Sequence, residues 1–250
     1  MSVIMVVSPK IHQPKVCEAV ILAGGRGTRL QSVVNDRPKP MAEVAGRPFL
    51  EWLLLVLRTQ EVRRVVFCTG YMAEVIRTHF GDGRQWNMEF VYSRDPVPLG
   101  TAGALRHALP RLRSDRFFVL NGDSYCPADM KRLEAAHLAR GARATLWCAR
   151  VDDCGRYGSV EISQDGAVRA FCEKMPQKRA GTVSAGVYML EREVVITIPK
   201  GCTFSLETDL FPALIGHGLY AVVGDDPLLD VGTPEAYATA EKFFELNVRL

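Results

Sequence analysis

The sequence lacks the features that mark several large classes of protein. Its seven cysteines form no Cys-x-x-Cys pair, and no apolar run is long enough to span a membrane. The 31 Lys and Arg residues nearly balance the 28 Asp and Glu residues, and they are scattered rather than clustered. We therefore expect no cysteine metal cluster, no membrane partner and no nucleic acid partner. An odd number of cysteines, several of them in apolar runs, indicates reduced thiols in a cytoplasmic protein.

Length and composition favour one globular domain. The chain has 250 residues, of which 48% are hydrophobic and 24% charged, and these fractions are ordinary for a folded protein. Residues 1–16 open on a short apolar stretch that no basic residue precedes. We interpret them as an N-terminal extension rather than a signal peptide. Residues 17–250 are then predicted to form a single domain.

Strand and helix patterns alternate in the first half of that domain, from residue 17 to about residue 140. Apolar runs predict strands at 64–69, 88–92 and 117–120, and helical patterns lie at 48–60, 73–80, 100–109 and 129–140. Repeated β–α units of this kind indicate an α/β protein, with a mostly parallel sheet that helices cover on both faces.

The second half, about 141–250, is richer in strands. Strand patterns at 144–151, 158–162, 168–173 and 183–190 follow one another with few helices between them. We expect an antiparallel or mixed region that lies over the open end of the sheet. Two short strands, 219–223 and 228–231, and two helices, 208–215 and 234–250, complete the prediction.

A glycine-rich loop follows the first predicted strand. The apolar run Ala19–Ala23 leads directly into Gly24-Gly25-Arg26-Gly27-Thr28-Arg29-Leu30, and glycine N–H groups can cradle phosphate. The loop lacks the Lys-Ser/Thr of a Walker loop and the third glycine of a dinucleotide fingerprint. For the glycines alone, a plain strand-to-helix turn is an equally good interpretation. Lys39 favours phosphate binding, because Pro38 and Pro40 hold it at a defined point.

Three further segments place small or acidic residues at the ends of predicted elements. The run Leu99-Gly100-Thr101-Ala102-Gly103 starts a predicted helix, and a plain helix start is favoured when it is taken alone. Asp123, in Asn121-Gly122-Asp123, and Asp230 each follow an apolar strand, where a carboxylate is well placed to bind Mg²⁺. A turn is the alternative interpretation of both aspartates.

The glycine loop and the segment after it resemble the signature of the sugar-1-phosphate nucleotidyltransferases. This chain has Gly-Gly-x-Gly-Thr-Arg-Leu at 24–30 and Pro-Lys-Pro-Met at 38–41, and the resemblance covers nearly all of it from residue 17. It implies a Rossmann-like three-layer α/β/α fold with a mixed, mostly parallel central sheet and a small C-terminal sugar-binding subregion. It also implies an enzyme that transfers a nucleotidyl group from a nucleoside triphosphate to a sugar 1-phosphate and releases pyrophosphate. The nucleotide half would be about 17–140 and the sugar half about 141–250.

The resemblance also implies roles for individual residues. Arg29, Lys39, Asp123 and Lys174 would be catalytic, and Asp123 and Asp230 would bind Mg²⁺. Without the resemblance, Glu173-Lys174 is an exposed surface pair, and Ser205–Asp209 caps a helix as readily as it contacts substrate. The sugar phosphate would contact Tyr157, Gly158, Glu173, Lys174, Ala185 and Gly186. The nucleotide would contact Leu22, Ala23, Gly24, Gly25, Gly27, Thr28, Arg29, Lys39, Leu99, Gly100, Thr101, Asn121 and Gly122.

Within the family, the resemblance points to members that use GTP and D-glycero-α-D-manno-heptose 1-phosphate. It rests on Arg47–Glu51, Pro98–Thr101, Leu120–Tyr125 and 151–161. The implied product is a GDP-heptose for a surface polysaccharide such as capsule or lipopolysaccharide, and a homodimer is the assembly that we expect. Two alternatives stay open. One is transfer from GTP, UTP, CTP or dTTP to mannose, glucose or N-acetylmuramate 1-phosphate, and the other is a non-catalytic sensor of nucleotide-sugars.

Overall fold

The protein is built around a nine-stranded sheet, and the computed structural model describes residues 16–172 and 179–248. The strands are β1 (Glu18–Ala23), β2 (Glu43–Val44), β3 (Arg47–Pro48), β4 (Arg64–Thr69), β5 (Glu89–Arg94), β6 (Arg116–Asn121), β7 (Ser124–Tyr125), β8 (Ala144–Val151), β9 (Ser159–Ile162), β10 (Val168–Cys172), β11 (Gly181–Glu191), β12 (Leu219–Gly224) and β13 (Leu229–Asp230). The helices are α1 (Phe49–Thr59), α2 (Ala73–Phe80), α3 (Gly100–Ala108), α4 (Met130–Ala139), α5 (Arg192–Ile196), α6 (Phe211–Leu214), α7 (Pro234–Ala238) and α8 (Ala240–Asn247).

Four parallel strands form one half of the sheet, in the order β6-β1-β4-β5. Ile21 of β1 lies beside Leu120 of β6 on one side and Phe67 of β4 on the other. This pairing confirms the parallel arrangement that the β–α alternation predicted. Because parallel strands end at the same edge of a sheet, the loops that follow these four strands meet there.

The second half of the chain extends this sheet rather than covering it. Strand β11 pairs antiparallel with both β6 and β8, and β8 pairs parallel with β12, so that the whole sheet is mixed. The prediction that this half lies over the open end of the sheet is therefore wrong. The eleven residues of β11 give it enough length to pair with β6, β8 and β9 at once.

The hydrophobic core lies on both faces of the sheet. Ala19 and Ile21 of β1 belong to one buried cluster and Val20 to the other, because successive side chains of a strand point to opposite faces. Burial on both faces explains why β1 is a continuous apolar run instead of an alternating one. On the first face, Trp52 of α1 stacks on Phe244 of α8 with ring centroids 4.2 Å apart.

Several predicted elements have different bounds in the structure. The helix predicted at 234–250 is two helices, α7 and α8, that meet at Thr239, and residues 249–250 lie outside the described part. The helix predicted at 208–215 begins earlier, as a π-helical turn at Leu206–Leu210 that leads into α6. Helix α5 was not predicted. Across the described residues, we find no helix with the length and apolarity needed to cross a membrane.

Candidate active site

A cleft of about 900 Å³ lies at the edge of the sheet where β1, β4, β5 and β6 end. We call the part formed by Arg29, Lys39 and Asp123 its charged end, and the part formed by Tyr71, Asp95, Val97 and Leu99 its apolar end. The remaining lining comes mostly from the glycine loop and from the start of α3. The cleft is lined by Leu22, Ala23, Gly24, Gly25, Arg26, Gly27, Thr28, Arg29, Lys39, Pro40, Cys68, Gly70, Tyr71, Arg94, Asp95, Pro96, Val97, Pro98, Leu99, Gly100, Thr101, Ala104, Asn121, Asp123 and Gly232.

The glycine loop folds closely over the Lys39 side chain. Gly27 has a φ of +60°, and a Cβ atom at this position would lie 2.7 Å from Cβ of Lys39. A larger residue would therefore be strained in its backbone and would collide with Lys39. The N–H of Leu30 donates to the carbonyl of Gly27 over 2.9 Å, and the buried Leu30 side chain anchors the far end of the loop.

Two aspartates flank the Lys39 ammonium group at the charged end. The Nζ atom of Lys39 lies 2.6 Å from Oδ2 of Asp123 and 4.0 Å from Oδ1 of Asp230, and only 8% of the lysine side chain is exposed. Asp123 follows β6, whereas Asp230 ends β13, which pairs with β7 so that Asp230 lies opposite Ser124. A short strand pair thus brings together two carboxylates that are more than 100 positions apart in the sequence.

Burial and the neighbouring charges shift the pKa of Asp230 in opposing directions. Burial raises its pKa most, and the negative charge of Asp123 raises it further. Lys39, the N–H of Gly232 and Arg29 lower it, and the N–H of Gly232 donates to Oδ1 over 2.5 Å. The two carboxylates repel each other, so that this site favours a cation between them.

The charged end fits a hard divalent cation that shares its ligands with substrate. Mg²⁺ is typically bound through one or two carboxylates together with substrate phosphates and water. Asp123 and Asp230 supply two carboxylates beside the cleft. Among the described residues, no group of three or more His, Cys, Asp or Glu side chains gathers around one point. A cation at this site would therefore need oxygen ligands from a bound anion or from water.

The start of α3 is anchored to the segment that precedes α6. The N–H groups of Ala102 and Gly103 donate to the carbonyl of Phe204 over 2.9 and 3.0 Å. The Thr101 hydroxyl donates to Oε2 of Glu207 over 2.9 Å and accepts from the N–H of Leu206 over 2.7 Å. Leu99, Gly100 and Thr101 line the cleft, but the hydroxyl of Thr101 is engaged within the protein.

Glu207 connects this helix start to the end of β6 and to β11. Its Oε1 atom accepts from Nδ2 of Asn121 over 3.4 Å and from the Tyr188 hydroxyl over 3.3 Å. A carboxylate only accepts hydrogen bonds, so that this contact fixes which way the Asn121 amide points. The remaining Oδ1 atom of Asn121 is buried and has no hydrogen-bond partner among the described residues. Ser205 thus caps the start of the helical turn at Leu206–Leu210, and Glu207 in the same segment links the second half of the chain to the first.

A bulge in β11 places the predicted sugar-binding glycine beside β6. The pairing of β11 with β8 shifts register between Ser184 and Val187, around Ala185 and Gly186. Gly186 has a φ of +72°, and a Cβ atom there would lie 3.1 Å from Cβ of Asn121. Only glycine fits this approach comfortably.

The other predicted sugar-phosphate residues lie further along the second half of the chain. The carbonyl of Gly158 accepts from the N–H of Ser184 over 3.1 Å, and the N–H of Tyr157 donates to the carbonyl of Cys154 over 3.0 Å. Neither Tyr157 nor Gly158 lines the cleft. Glu173 and Lys174 lie outside the described residues.

Twelve of the thirteen predicted nucleotide-binding residues line the same cleft, and Gly122 does not; of the predicted sugar-phosphate residues, Ala185 and Gly186 do not line it either. Gly122 instead packs on β1, where its N–H donates to the carbonyl of Leu22 over 2.9 Å. The sequence analysis missed Asp95, and it named Glu207 only as part of the Ser205–Asp209 segment. Asp95 directly follows strand β5, and Asp123 lies two positions after the end of β6, so that an aspartate just past a strand end was the available signal.

Comparison with known proteins gives one consistent family. The profile of the nucleotidyl transferase family matches residues 18–246. A mannose-1-phosphate guanylyltransferase from Mycobacterium tuberculosis is 36% identical over 88% of this chain and 62% of its own length. A D-glycero-alpha-D-manno-heptose 1-phosphate guanylyltransferase from Aneurinibacillus thermoaerophilus is 34% identical over 90% of this chain and 97% of its own length. The crystal structure of HddC from Yersinia pseudotuberculosis complexed with GMP-PN superposes with a TM-score of 0.82, at 34% identity, over 92% of this chain and 100% of that one.

Proposed function

This chain belongs to the nucleotidyl transferase family, and on that basis we propose that it transfers the guanylyl group of GTP to D-glycero-α-D-manno-heptose 1-phosphate. The products are GDP-heptose and pyrophosphate. The observation that carries the chemistry is the arrangement of Lys39 between Asp123 and Asp230 beside the glycine loop. The choice of GTP and heptose is supported by the heptose 1-phosphate relatives, which match this chain over 97% and 96% of their own lengths.

The transfer needs no general base from the protein. The second pKa of a phosphate monoester is about 6, so that an oxygen of the sugar phosphate is already ionised at neutral pH. That oxygen attacks the α-phosphorus of GTP, a new P–O bond forms, and the bond to the β-phosphate breaks. Because both reactants are anions, the main tasks of the protein are to position them and to neutralise their charge.

Residues at the charged end are suited to that neutralisation. We assign Arg29 and Lys39 to the triphosphate and to the departing pyrophosphate, and the N–H groups of the glycine loop to the same phosphates. Arg29 is exposed at the cleft, whereas Lys39 is buried in its ion pair with Asp123. Losing an electrostatic contact of this kind lowers the rate by roughly 10²–10³-fold.

Asp123 and Asp230 are the residues that would hold Mg²⁺. When bound there, the cation would neutralise charge on the reacting phosphates. The two carboxylates fit this task because each lies within 4.0 Å of the Lys39 ammonium group, at the edge of the cleft. Lys39 then has the separate task of limiting the repulsion between them before substrate binds.

The sugar phosphate is assigned to the second half of the chain. Gly186 and Ala185 lie in the β11 bulge beside Asn121, which lines the cleft. By the family resemblance, Tyr157 and Gly158 contact the sugar, Glu173 contacts its hydroxyls, and Lys174 contacts its phosphate. We also propose a division of the chain near residue 140, a cytoplasmic homodimer, and a product used for surface polysaccharide.

Mannose 1-phosphate is the second candidate substrate. It is favoured by the mannose-1-phosphate guanylyltransferase of Mycobacterium tuberculosis, at 36% identity. The same residues would carry out the same reaction with this sugar, because we assign the charged end to the phosphate groups alone.

The decisive experiment measures pyrophosphate release with Mg²⁺ for GTP, ATP, CTP and UTP against the 1-phosphates of heptose, mannose, glucose and N-acetylmuramate. We expect the highest kcat/KM for GTP with the heptose 1-phosphate. A maximum for mannose would favour the second candidate. Absence of turnover throughout, with nucleotide still bound, would contradict an enzyme and favour the sensor.

A further inference from the structure

We propose that Asp226 is a positioning residue for the cation site, and that its hydrogen bond with the Trp147 indole holds Asp230 in place. Neither Asp226 nor Trp147 lines the cleft. The inference rests on the proposed function, because it concerns how this chain prepares Asp230 to bind Mg²⁺.

The strand that carries Asp230 is too short to fix its own register firmly. Strand β13 has only two residues, of which Leu229 pairs with Tyr125 of β7 and Asp230 pairs with Ser124. Successive side chains of a strand point to opposite faces, so that a slip by one residue would turn the Asp230 carboxylate away from Lys39. The register of this pair therefore depends on contacts made by the residues on either side of β13.

Contacts of this kind are present on both sides of β13. On the far side, the N–H of Val231 donates to the carbonyl of Asp123 over 3.0 Å. On the near side, residues 225–228 connect β12 to β13, and Oδ2 of Asp226 in this connection accepts from Nε1 of Trp147 over 3.0 Å. The Trp147 side chain lies within β8 and only 1% of it is exposed, so that its indole is a fixed point for the connection.

The Asp226 side chain is folded back over the end of β12. A Cβ atom at Gly224 would collide with Oδ2 of Asp226 and would lie 2.5 Å from Cζ2 of Trp147, so that only glycine leaves room for the contact. Pro227 follows directly, and its ring holds the backbone φ near about −65°. The direction in which the chain leaves Asp226 toward β13 is thus restricted.

Arg132 of α4 supports the same contact. Its guanidinium lies over the Trp147 ring, 5.4 Å from the ring centroid, and its Nη2 atom donates to the carbonyl of Val223 over 3.0 Å. Burial raises the pKa of Asp226, whereas the hydrogen bond from Trp147 and the charge of Arg132 lower it. A half-buried carboxylate costs stability unless such partners compensate, and these partners give it a defined position.

The preceding residue, Asp225, lacks this anchorage. It forms an ion pair with Arg150 in which 85% of the aspartate side chain and 65% of the arginine side chain are exposed. A surface ion pair of this kind contributes little to stability. Two adjacent aspartates in one connection thus provide a matched comparison, because one is anchored to a buried indole and the other only to a surface side chain.

A displacement of Asp230 would weaken the cation site more than the phosphate site. A Mg²⁺ ion shared by Asp123 and Asp230 needs both carboxylates at about 2.1 Å, and it tolerates little departure from this geometry. The glycine loop, which we assign to the phosphates, follows β1 and has no part in β13. The expected signature of the Asp226 contact is therefore a change in cation affinity without a change in cation-free nucleotide affinity.

The test measures equilibrium binding of Mn²⁺, as a probe for the Mg²⁺ site, to the full chain with a GTP analogue whose α–β bridge cannot be cleaved. Trp147→Phe removes the indole N–H and keeps an aromatic ring, and Asp226→Ala removes the acceptor. We expect each variant to bind Mn²⁺ about 10-fold more weakly, the lower limit for residues that orient a metal ligand indirectly. Asp226→Asn keeps an oxygen acceptor for the indole and is expected to retain most of the Mn²⁺ affinity.

Two comparisons separate positioning from a loss of stability. Asp225→Ala is the matched control and is expected to bind Mn²⁺ as the unmodified protein does. The double variant Trp147→Phe/Asp226→Ala is expected to bind Mn²⁺ no more weakly than either single variant, because both changes remove the same hydrogen bond. A merely structural bond would lower the melting temperature of Trp147→Phe and Asp226→Ala and leave their Mn²⁺ affinity unchanged.

Two results overturn the inference, and they are distinguishable. If Trp147→Phe and Asp226→Ala bind Mn²⁺ like the unmodified protein, Asp226 does not position Asp230, and the proposed function is untouched. If the unmodified protein binds the GTP analogue but no Mn²⁺ with it, the assignment of the cation to Asp123 and Asp230 fails, and the inference fails with it.

Discussion

The carboxylates at the two ends of the cleft differ in whether the protein itself supplies a partner for them. At the charged end, the ammonium group of Lys39 lies beside both Asp123 and Asp230 and offsets part of their negative charge without any ligand. At the apolar end, Asp95 has a buried oxygen with no partner among the described residues. The contrast suggests a division of tasks. The ion pairs of Lys39 can be exchanged for contacts with phosphates and a cation during transfer, whereas an unmet acceptor can accept hydrogen bonds from the base of the nucleotide.

Lys39→Met gives the largest expected effect, because it removes the cation at the charged end and keeps most of the side-chain volume. We expect kcat for pyrophosphate release to fall by roughly 10²–10³-fold with every triphosphate, and the preference among bases to stay unchanged. Lys200→Met, at an exposed position, is the control and is expected to leave kcat unaltered. A loss of less than 10-fold would contradict the role assigned to Lys39.

Gly27→Ala tests whether the loop must fold closely over Lys39. The φ of +60° and the contact of 2.7 Å with Lys39 both oppose a side chain there. A strained backbone of this kind costs about 1–3 kcal/mol, which we expect to lower the free energy of unfolding, and the displacement of Lys39 is expected to lower kcat/KM for the triphosphate. Gly25→Ala is the matched variant, because a Cβ atom at Gly25 would meet nothing within 4 Å. Equal losses in the two variants would show that the contact with Lys39 is unimportant.

Thr101→Val tests the link between the start of α3 and the segment before α6. Two hydrogen bonds of the Thr101 hydroxyl, of 2.9 and 2.7 Å, would be lost. We expect the free energy of unfolding to fall by about 1–3 kcal/mol and KM for the triphosphate to rise, because α3 borders the cleft. Thr59→Val removes one local bond at the end of α1 and should have a smaller effect. Denaturant unfolding of both variants checks the difference.

The smallest expected effect is the pH dependence that Asp95 adds to stability. The pKa of Asp95 is raised to about 6 in the folded protein by burial. The folded state therefore holds this proton more tightly than the unfolded state, whose pKa is about 3.9. The stabilisation of the folded state by this bound proton is complete below pH 4 and is lost as the pH rises through 6.

Melting temperatures of Asp95→Asn and the unmodified protein, measured without nucleotide from pH 4 to pH 7, check this dependence. The advantage of the variant should grow with pH. Because solvent reaches part of this side chain, the difference in the free energy of unfolding between the variant and the unmodified protein should be about 1 kcal/mol at pH 7. A constant difference across this range would mean that the carboxylate is not destabilised by burial.

The sequence predicted the features that depend on local patterns. The parallel strands, the glycine loop and helix α4 with its Asp129 cap lie close to the predicted bounds, because apolar periodicity and capping residues act over a few positions. The alternation of β–α units predicted a mostly parallel sheet, and in the structure the Gly24 loop and Asp123 both follow strands that end at one edge of it. The residue roles implied by the family resemblance stay predictions.

What the sequence could not predict depends on long-range pairing. Strand β11 extends the sheet because it pairs with both β6 and β8. Its own sequence contains no pattern that identifies these partner strands. Glu207 reaches Thr101 across 106 positions, so that its role as a link is visible only in three dimensions. Whether Oδ1 of Asp95 finds a hydrogen-bond partner likewise depends on its surroundings in the folded protein, and the neighbouring sequence does not indicate it.

The division of tasks is tested most directly by combining Lys39→Met and Asp95→Asn in one double-mutant cycle, with pyrophosphate release measured for GTP, ITP and XTP. If the ends act independently, the double variant shows the rate loss of Lys39→Met together with the base preference of Asp95→Asn, and the two free-energy changes add. If Lys39→Met alone abolishes the preference for GTP, or Asp95→Asn alone removes turnover with every triphosphate, the two ends do not have separate tasks.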